Sequence, residues 1–108
     1  EEVDEKYMDA ITALSGSGPG YFFYLMELLE DFGVKHGLPP KVARLLAVQT
    51  GLGAALLAKS SGEPCARLRQ RVTSKKGTTE AALKTLRRGK FGKIFQRALA
   101  AAVKRGRS

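Results

Sequence analysis

Cysteine is almost missing from this chain, and so are tryptophan and histidine. The lone Cys65 cannot close an intramolecular disulfide, and the single His36 with no paired Cys/His spacing offers zinc no ligand set, so no metal is expected. Strand signals are missing too. Alternating apolar and polar stretches are absent, and no Asn-Gly or Asp-Gly hairpin turn occurs. No G-x-G-x-x-G, Walker loop or H-E-x-x-H is present, so the residues offer neither a cofactor-binding site nor a nucleophile paired with a base. The most apolar stretch, Val42–Ala58, is interrupted by Arg44, Gln49 and Thr50. It falls short of the roughly 20 predominantly apolar residues of a spanning helix, and no membrane segment is expected. The acidic start, Glu1–Lys6, lacks the basic and apolar regions of a signal peptide. With a single cysteine, this makes the expected home reducing and cytoplasmic.

What is present is an ordinary globular composition, 44% apolar and 27% charged over 108 residues, which fits one domain with a modest core. The net charge of +9 is unevenly placed. Residues 1–63 hold 5 basic and 9 acidic side chains, whereas residues 64–108 hold 14 basic and 1 acidic, Glu80. Such a bias marks either a nucleic-acid face or a surface that meets water or an acidic partner domain. The basic residues come without aromatic interleaving or a nucleic-acid motif, which favours the second reading.

Helical spacing, punctuated by Gly and Pro, predicts an all-α fold of five or six helices. A short helix over Asp4–Leu14 should stop at Ser15-Gly16-Ser17-Gly18-Pro19-Gly20. The next should start near Ser17 or Gly18, with Pro19 in its first turn and Gly37 as its stop. Its apolar face carries Tyr21, Phe22, Leu25, Met26, Leu28, Leu29 and Phe32. His36 sits in its last turn, where a cation is favourable, so a structural role is expected. The segment Pro40–Ser60 is apolar nearly all round, the pattern of a helix buried on most sides. Ala43, Ala47, Gly51 and Ala55 fall four apart and predict a close helix crossing, within the chain or with a second subunit. Pro64–Arg71 reads as a short helix with a packed or partly exposed Cys65. A further helix over Thr79–Arg88 has Thr78 as its N-cap and Gly89 as its stop, and the last spans Lys90–Lys104. The ends, the first few residues and Lys104–Ser108, read as linker or fray.

Four stretches, in order, resemble one family. Ala13-Leu14-Ser15-Gly16-Ser17-Gly18-Pro19 with Tyr21 is similar to the A-L-S-G-S-G-P-A-Y segment of pyrroline-5-carboxylate reductases, and Gly33-Val34-Lys35-His36-Gly37-Leu38-Pro39 resembles their G-V-K-M-G-L-P. Ala47–Ala55 resembles A-x-Q-T-x-x-G-A-A, and Val72-Thr73-Ser74-Lys75-Lys76-Gly77-Thr78-Thr79 resembles V-x-S-P-G-G-T-T. The register runs from about Glu5 to Ser108.

The resemblance implies the helical C-terminal dimerisation and substrate-binding domain, residues 1–108, of an enzyme that reduces 1-pyrroline-5-carboxylate to L-proline. NADP or NAD would be bound by an N-terminal Rossmann domain that this sequence does not contain, and the isolated domain is expected to be inactive. The partners implied are a second copy in an intertwined homodimer, which can associate into a decamer, and the small imine substrate. Neither nucleic acid nor membrane is implied. By carry-over, Val72, Ser74, Gly77, Thr78 and Thr79 form the substrate loop, with the Thr79 hydroxyl near the ring nitrogen as the catalytic group. The Ser15–Gly20 segment would lie near the active-site cleft. Physical chemistry agrees with the loop: it feeds into a helix N-terminus, where amide groups and the dipole favour an anion. The family's usual Pro-Gly is Lys75-Lys76 here, which demands a backbone that a Cβ tolerates and adds two charges. That departure supports a second reading, a non-catalytic helical module of the same fold. A basic nucleic-acid-binding domain is the third.

Overall fold

The computed structural model describes residues 5–107. Among them the chain is all-helical: α1 (Glu5–Ile11), a π-helical turn (Thr12–Gly16), α2 (Gly18–Lys35), α3 (Pro40–Ser61), α4 (Cys65–Arg71), α5 (Thr78–Arg88) and α6 (Phe91–Arg107). They fall into two compact units. One holds the described residues up to Gly18 together with those from Ala66 onward, and the other is Pro19–Cys65.

In the first unit, the glycine-rich run does not break the chain as the sequence suggests. The backbone widens into a π turn, with the Ser17 N–H donating to Thr12 O at 2.8 Å, and the Ser15 hydroxyl donates to Ile11 O at 3.0 Å. Only Ser17 separates this turn from α2. The glycines thus permit a wider helical turn, of the kind common at functional sites. Ala13 in this turn is buried, and α6 packs against both the turn and α1. A Cβ on Gly106 would stand 3.2 Å from Asp9 Oδ1, so α6 passes close to α1 there. Helix α6 continues to Arg107, beyond the expected end at Lys104. Phe95, Leu99, Ala102 and Val103 of its apolar stripe are half-buried, while Phe91 and Ile94 stay open.

The second unit is the α2–α3 hairpin. Gly37, at φ +95, ends α2 with a double bond pattern: its own N–H reaches Val34 O at 3.0 Å, and Leu38 N–H reaches Gly33 O at 3.0 Å. This is the Schellman closure that glycine allows. His36 stacks on Phe32, ring centroids 4.0 Å apart, with Nδ1 3.0 Å from Phe32 O. It sits in the closing turn just past Lys35, where the structural role expected of it is filled.

The small-residue stripe does pack inside the chain. Ala43 and Ala47 are buried, a Cβ on Gly33 would lie 3.0 Å from that of Ala43, and one on Gly51 would lie 2.7 Å from Met26 Cε. Ala55 is exposed, and Gly53 has no neighbour within reach of a Cβ. The expectation that this helix is buried on most sides is not met by its own chain. Leu45, Leu46, Leu52, Leu56 and Leu57 are all exposed, as are Phe22, Phe23 and Tyr24 on α2. Helix α3 also has the length and hydropathy of a membrane-crossing helix despite Arg44, so its interruptions do not exclude one by composition.

Candidate functional site

The predicted site residues fall in one continuous stretch from the end of α4 into the first turn of α5. Val72 lies just past the end of α4, where its N–H bonds Leu68 O at 3.3 Å, and its side chain is exposed. The Thr73 hydroxyl donates to Arg69 O at 2.6 Å, which ties the start of the loop to α4. The chain then reverses over Ser74-Lys75-Lys76-Gly77, with the Gly77 N–H donating to Ser74 O at 3.0 Å. Ser74, Lys75, Lys76 and Thr78 are exposed, while Gly77, Thr79 and Glu80 are half-buried.

The third residue of this turn, Lys76, has φ +63, and Lys75 is not in the positive-φ region. That is the pattern of a type II turn, which favours proline second and glycine third. Lysine in the left-handed region costs on the order of 1 kcal/mol relative to the ordinary helical region. The backbone that a Cβ at Lys76 demands is found in the small left-handed region open to L-residues, at that cost. The lysines keep the turn that Pro-Gly would build, and Lys76 carries the strain.

Gly77 is required for a different reason. Its φ of −87 and ψ of 176 are open to any residue, yet a Cβ there would collide with Ser74 Oγ and stand 3.1 Å from Ser74 O. Space, and not conformation, selects glycine.

Gly77, and not Thr78, is the N-cap of α5. Its carbonyl accepts the first helical bond, from Ala81 N–H at 3.1 Å, and no hydroxyl caps the helix. Thr78 and Thr79 are its first two residues, so the amides of Thr78, Thr79 and Glu80 have no acceptor in a preceding turn. The residue that the sequence reading passed over is Glu80. Its Oε1 accepts the Lys76 N–H at 2.8 Å. A Glu at the third helical position reaching back is the signal of a capping box, and here it lands one residue before the N-cap.

Beyond the turn, a depression of about 290 Å³ is lined by Thr73, Glu80, Leu83, Lys84 and Arg87. Leu83, Lys84 and Arg87 follow Glu80 by three, four and seven residues, which places them on one face of α5. The loop therefore offers hydroxyls, helix-start amides and nearby cations, a donor set suited to a small anion.

A chain that is helical throughout its described residues and leaves wide apolar faces uncovered has the build of an assembly domain. Comparison with known proteins gives this class its family. A family model described as pyrroline-5-carboxylate reductase dimerisation matches residues 5–108, and the chain belongs to that family. It is 51% identical over 102 residues to the pyrroline-5-carboxylate reductase of Pseudomonas aeruginosa, covering 94% of this chain and 37% of that protein. The Pisum sativum reductase is 47% identical over 106 residues, 98% of this chain and 39% of the relative. Among solved structures, the reductase of Coxiella burnetii matches with a TM-score of 0.91 and 44% identity, over 98% of this chain and 39% of that one. The Plasmodium falciparum enzyme, solved with NADP bound, matches with a TM-score of 0.90 and 35% identity, over 97% and 40%. The chain thus spans about 40% of the length of the relatives it matches.

Proposed function

We propose that this chain is the helical dimerisation and substrate-binding domain of a longer reductase that converts 1-pyrroline-5-carboxylate to L-proline. The loop Ser74–Thr79 receives the substrate carboxylate on the amides at the start of α5 and on the hydroxyls of Ser74, Thr78 and Thr79. Thr79 stands at the second helical position, half-buried, where its hydroxyl can serve the ring nitrogen while the amides hold the carboxylate. The single observation that carries this reading is the tight Ser74–Gly77 turn delivered straight into a helix N-terminus. Holding the acid group there fixes the imine ring, and orientation of a bound reactant is a large share of catalysis.

The nicotinamide, NADPH or NADH, which would supply the hydride, belongs to another part of the longer protein.

The apolar faces of α2 and α3 support a homodimer in which a second copy covers them. Residues such as Phe22, Phe23, Leu45 and Leu56 are each more than half exposed, apolar side chains that a partner would take out of water.

One comparison tests the enzymatic reading. The full-length protein should oxidise NAD(P)H in the presence of the imine, and the 108-residue chain alone should not. In the full-length protein, Thr79→Ala should lower kcat roughly tenfold or more, the worth of a hydrogen bond made to the reacting group. Turnover by the isolated chain, or an unchanged kcat in the variant, would contradict the assignment.

A further inference from the structure

From the geometry of the turn we infer that Glu80 is a positioning residue for substrate binding, acting through the backbone of Lys76. The inference rests on the proposed reductase reading and deepens it. Two amides of the loop already have acceptors: Gly77 N–H on Ser74 O, and Lys76 N–H on Glu80 Oε1. The first bond closes the turn. The second ties the strained residue of that turn to the helix that follows it.

Three features meet at one peptide. Lys76 has φ +63, an uncommon and costly conformation for a lysine. The residue is exposed, so no packing around its side chain fixes it. Glu80 is half-buried and its carboxylate is the acceptor 2.8 Å from the Lys76 N–H, a charge-assisted bond. Glu80 is also the one acidic residue in residues 64–108, amid 14 basic ones, so a carboxylate at this position is a departure from its surroundings. Where Pro-Gly would preset the turn at no conformational cost, Lys75-Lys76 leaves it to be held from outside, and the Glu80 carboxylate holds it. Carboxylate recognition then falls to the amides of Thr78 and Thr79 and the hydroxyls beside them, since the Lys76 amide is taken.

The test is a set of full-length variants assayed with the imine, together with amide hydrogen exchange at Lys76. Glu80→Ala should raise KM for the imine roughly tenfold, the loss of one charge-assisted bond, with kcat within about twofold. KM for the nicotinamide cofactor should not change. Glu80→Gln keeps an acceptor oxygen and should recover most of the KM. Lys76→Gly in the Glu80→Ala background should also recover it, because glycine takes positive φ without help. Exchange at Lys76 should be faster in Glu80→Ala than in the wild type. An unchanged KM in Glu80→Ala overturns the inference, as does a defect that Lys76→Gly leaves in place, or exchange at Lys76 that does not respond. Should Glu80→Ala fail to fold, Glu80→Gln decides: near-wild-type KM with slow Lys76 exchange supports the role, and a raised KM removes it. A wild-type enzyme with no imine turnover would defeat the reductase reading separately, and the exchange measurement would still judge whether Glu80 holds the turn.

Discussion

Two neighbouring residues in the loop before α5 face opposite steric problems. Lys76 has a Cβ in a backbone conformation that favours none, and Gly77 lacks one in a conformation that any residue could take. The second case gives the sharper prediction. In Gly77→Ala the new methyl meets Ser74 Oγ and the Ser74 carbonyl at 3.1 Å, and the carbonyl can withdraw only by stretching the turn bond it accepts. Overpacking of this kind costs about 1–3 kcal/mol. Chemical denaturation of the chain should report a loss in that range, and in the full-length enzyme KM for the imine should rise. An alanine variant as stable as the parent would mean that the turn is softer than its geometry indicates. The position of this loop could be read from the order of residue types, because hydroxyls and a glycine ahead of a periodic run mark a helix start, whereas the residue types alone fit an ordinary capped turn and only the family resemblance points to a ligand loop. The division of labour could not. A threonine beside a helix start is a natural cap, yet the cap is Gly77, and the glutamate at the third helical position reaches back over it to the amide before it.

Among the elements, the α2–α3 hairpin shows how glycine acts as a spacer. Gly33 and Gly51 both lie on helices and both face the opposite helix, but their neighbours differ in freedom. A methyl on Gly33 would come within 3.0 Å of Ala43 Cβ, which is fixed to the α3 backbone, and within 3.2 Å of Leu38 Cδ1. A methyl on Gly51 would meet only Met26 Cε at 2.7 Å, the far end of a flexible side chain. Replacing a helical Gly by Ala gains about 1 kcal/mol in propensity. Gly51→Ala should therefore be neutral or stabilising once Met26 adopts another rotamer, whereas Gly33→Ala should lose more through forced separation of the helices than it gains, a net loss of about 1 kcal/mol. Thermal melts of the two variants side by side check the ordering, and the reverse order would refute the close-approach argument. The stop at Gly37 was legible because a left-handed glycine after a periodic apolar run has one common meaning. The Ser-Gly run before α2 was not, since a π turn places its bonds five residues apart and leaves no mark in the spacing of side chains. At the α5–α6 junction Gly89 is the C-cap of α5, the stop its place in the sequence indicates, although it stays at φ −77 and it is Lys90 that takes the left-handed φ of +59.

For the molecule as a whole, the decisive quantity is apolar surface left without cover. Helix α3 gives its alanines to α2 and presents leucines elsewhere: Ala43 and Ala47 are buried at 3% and 5%, while Leu45, Leu52 and Leu56 remain 57%, 49% and 56% exposed. At 100° per residue the three leucines share one stripe, on the side of α3 away from the two alanines. A buried leucine contributes about 1.5–3 kcal/mol, so three left in water on one helix represent a large unmet contribution to stability. A second copy of the chain meeting this stripe would supply it, and the chain's stability would then depend on its own concentration. Leu52→Lys, in the middle of the stripe, should shift the chain from dimer to monomer in light scattering at micromolar concentration, because a charge in an apolar interface must be desolvated without a partner. The melting temperature of the parent should rise with concentration, and that of the variant should be lower and should not. A monomeric parent, or a dimer that tolerates lysine at position 52, would mean that this stripe is covered by something other than a second copy.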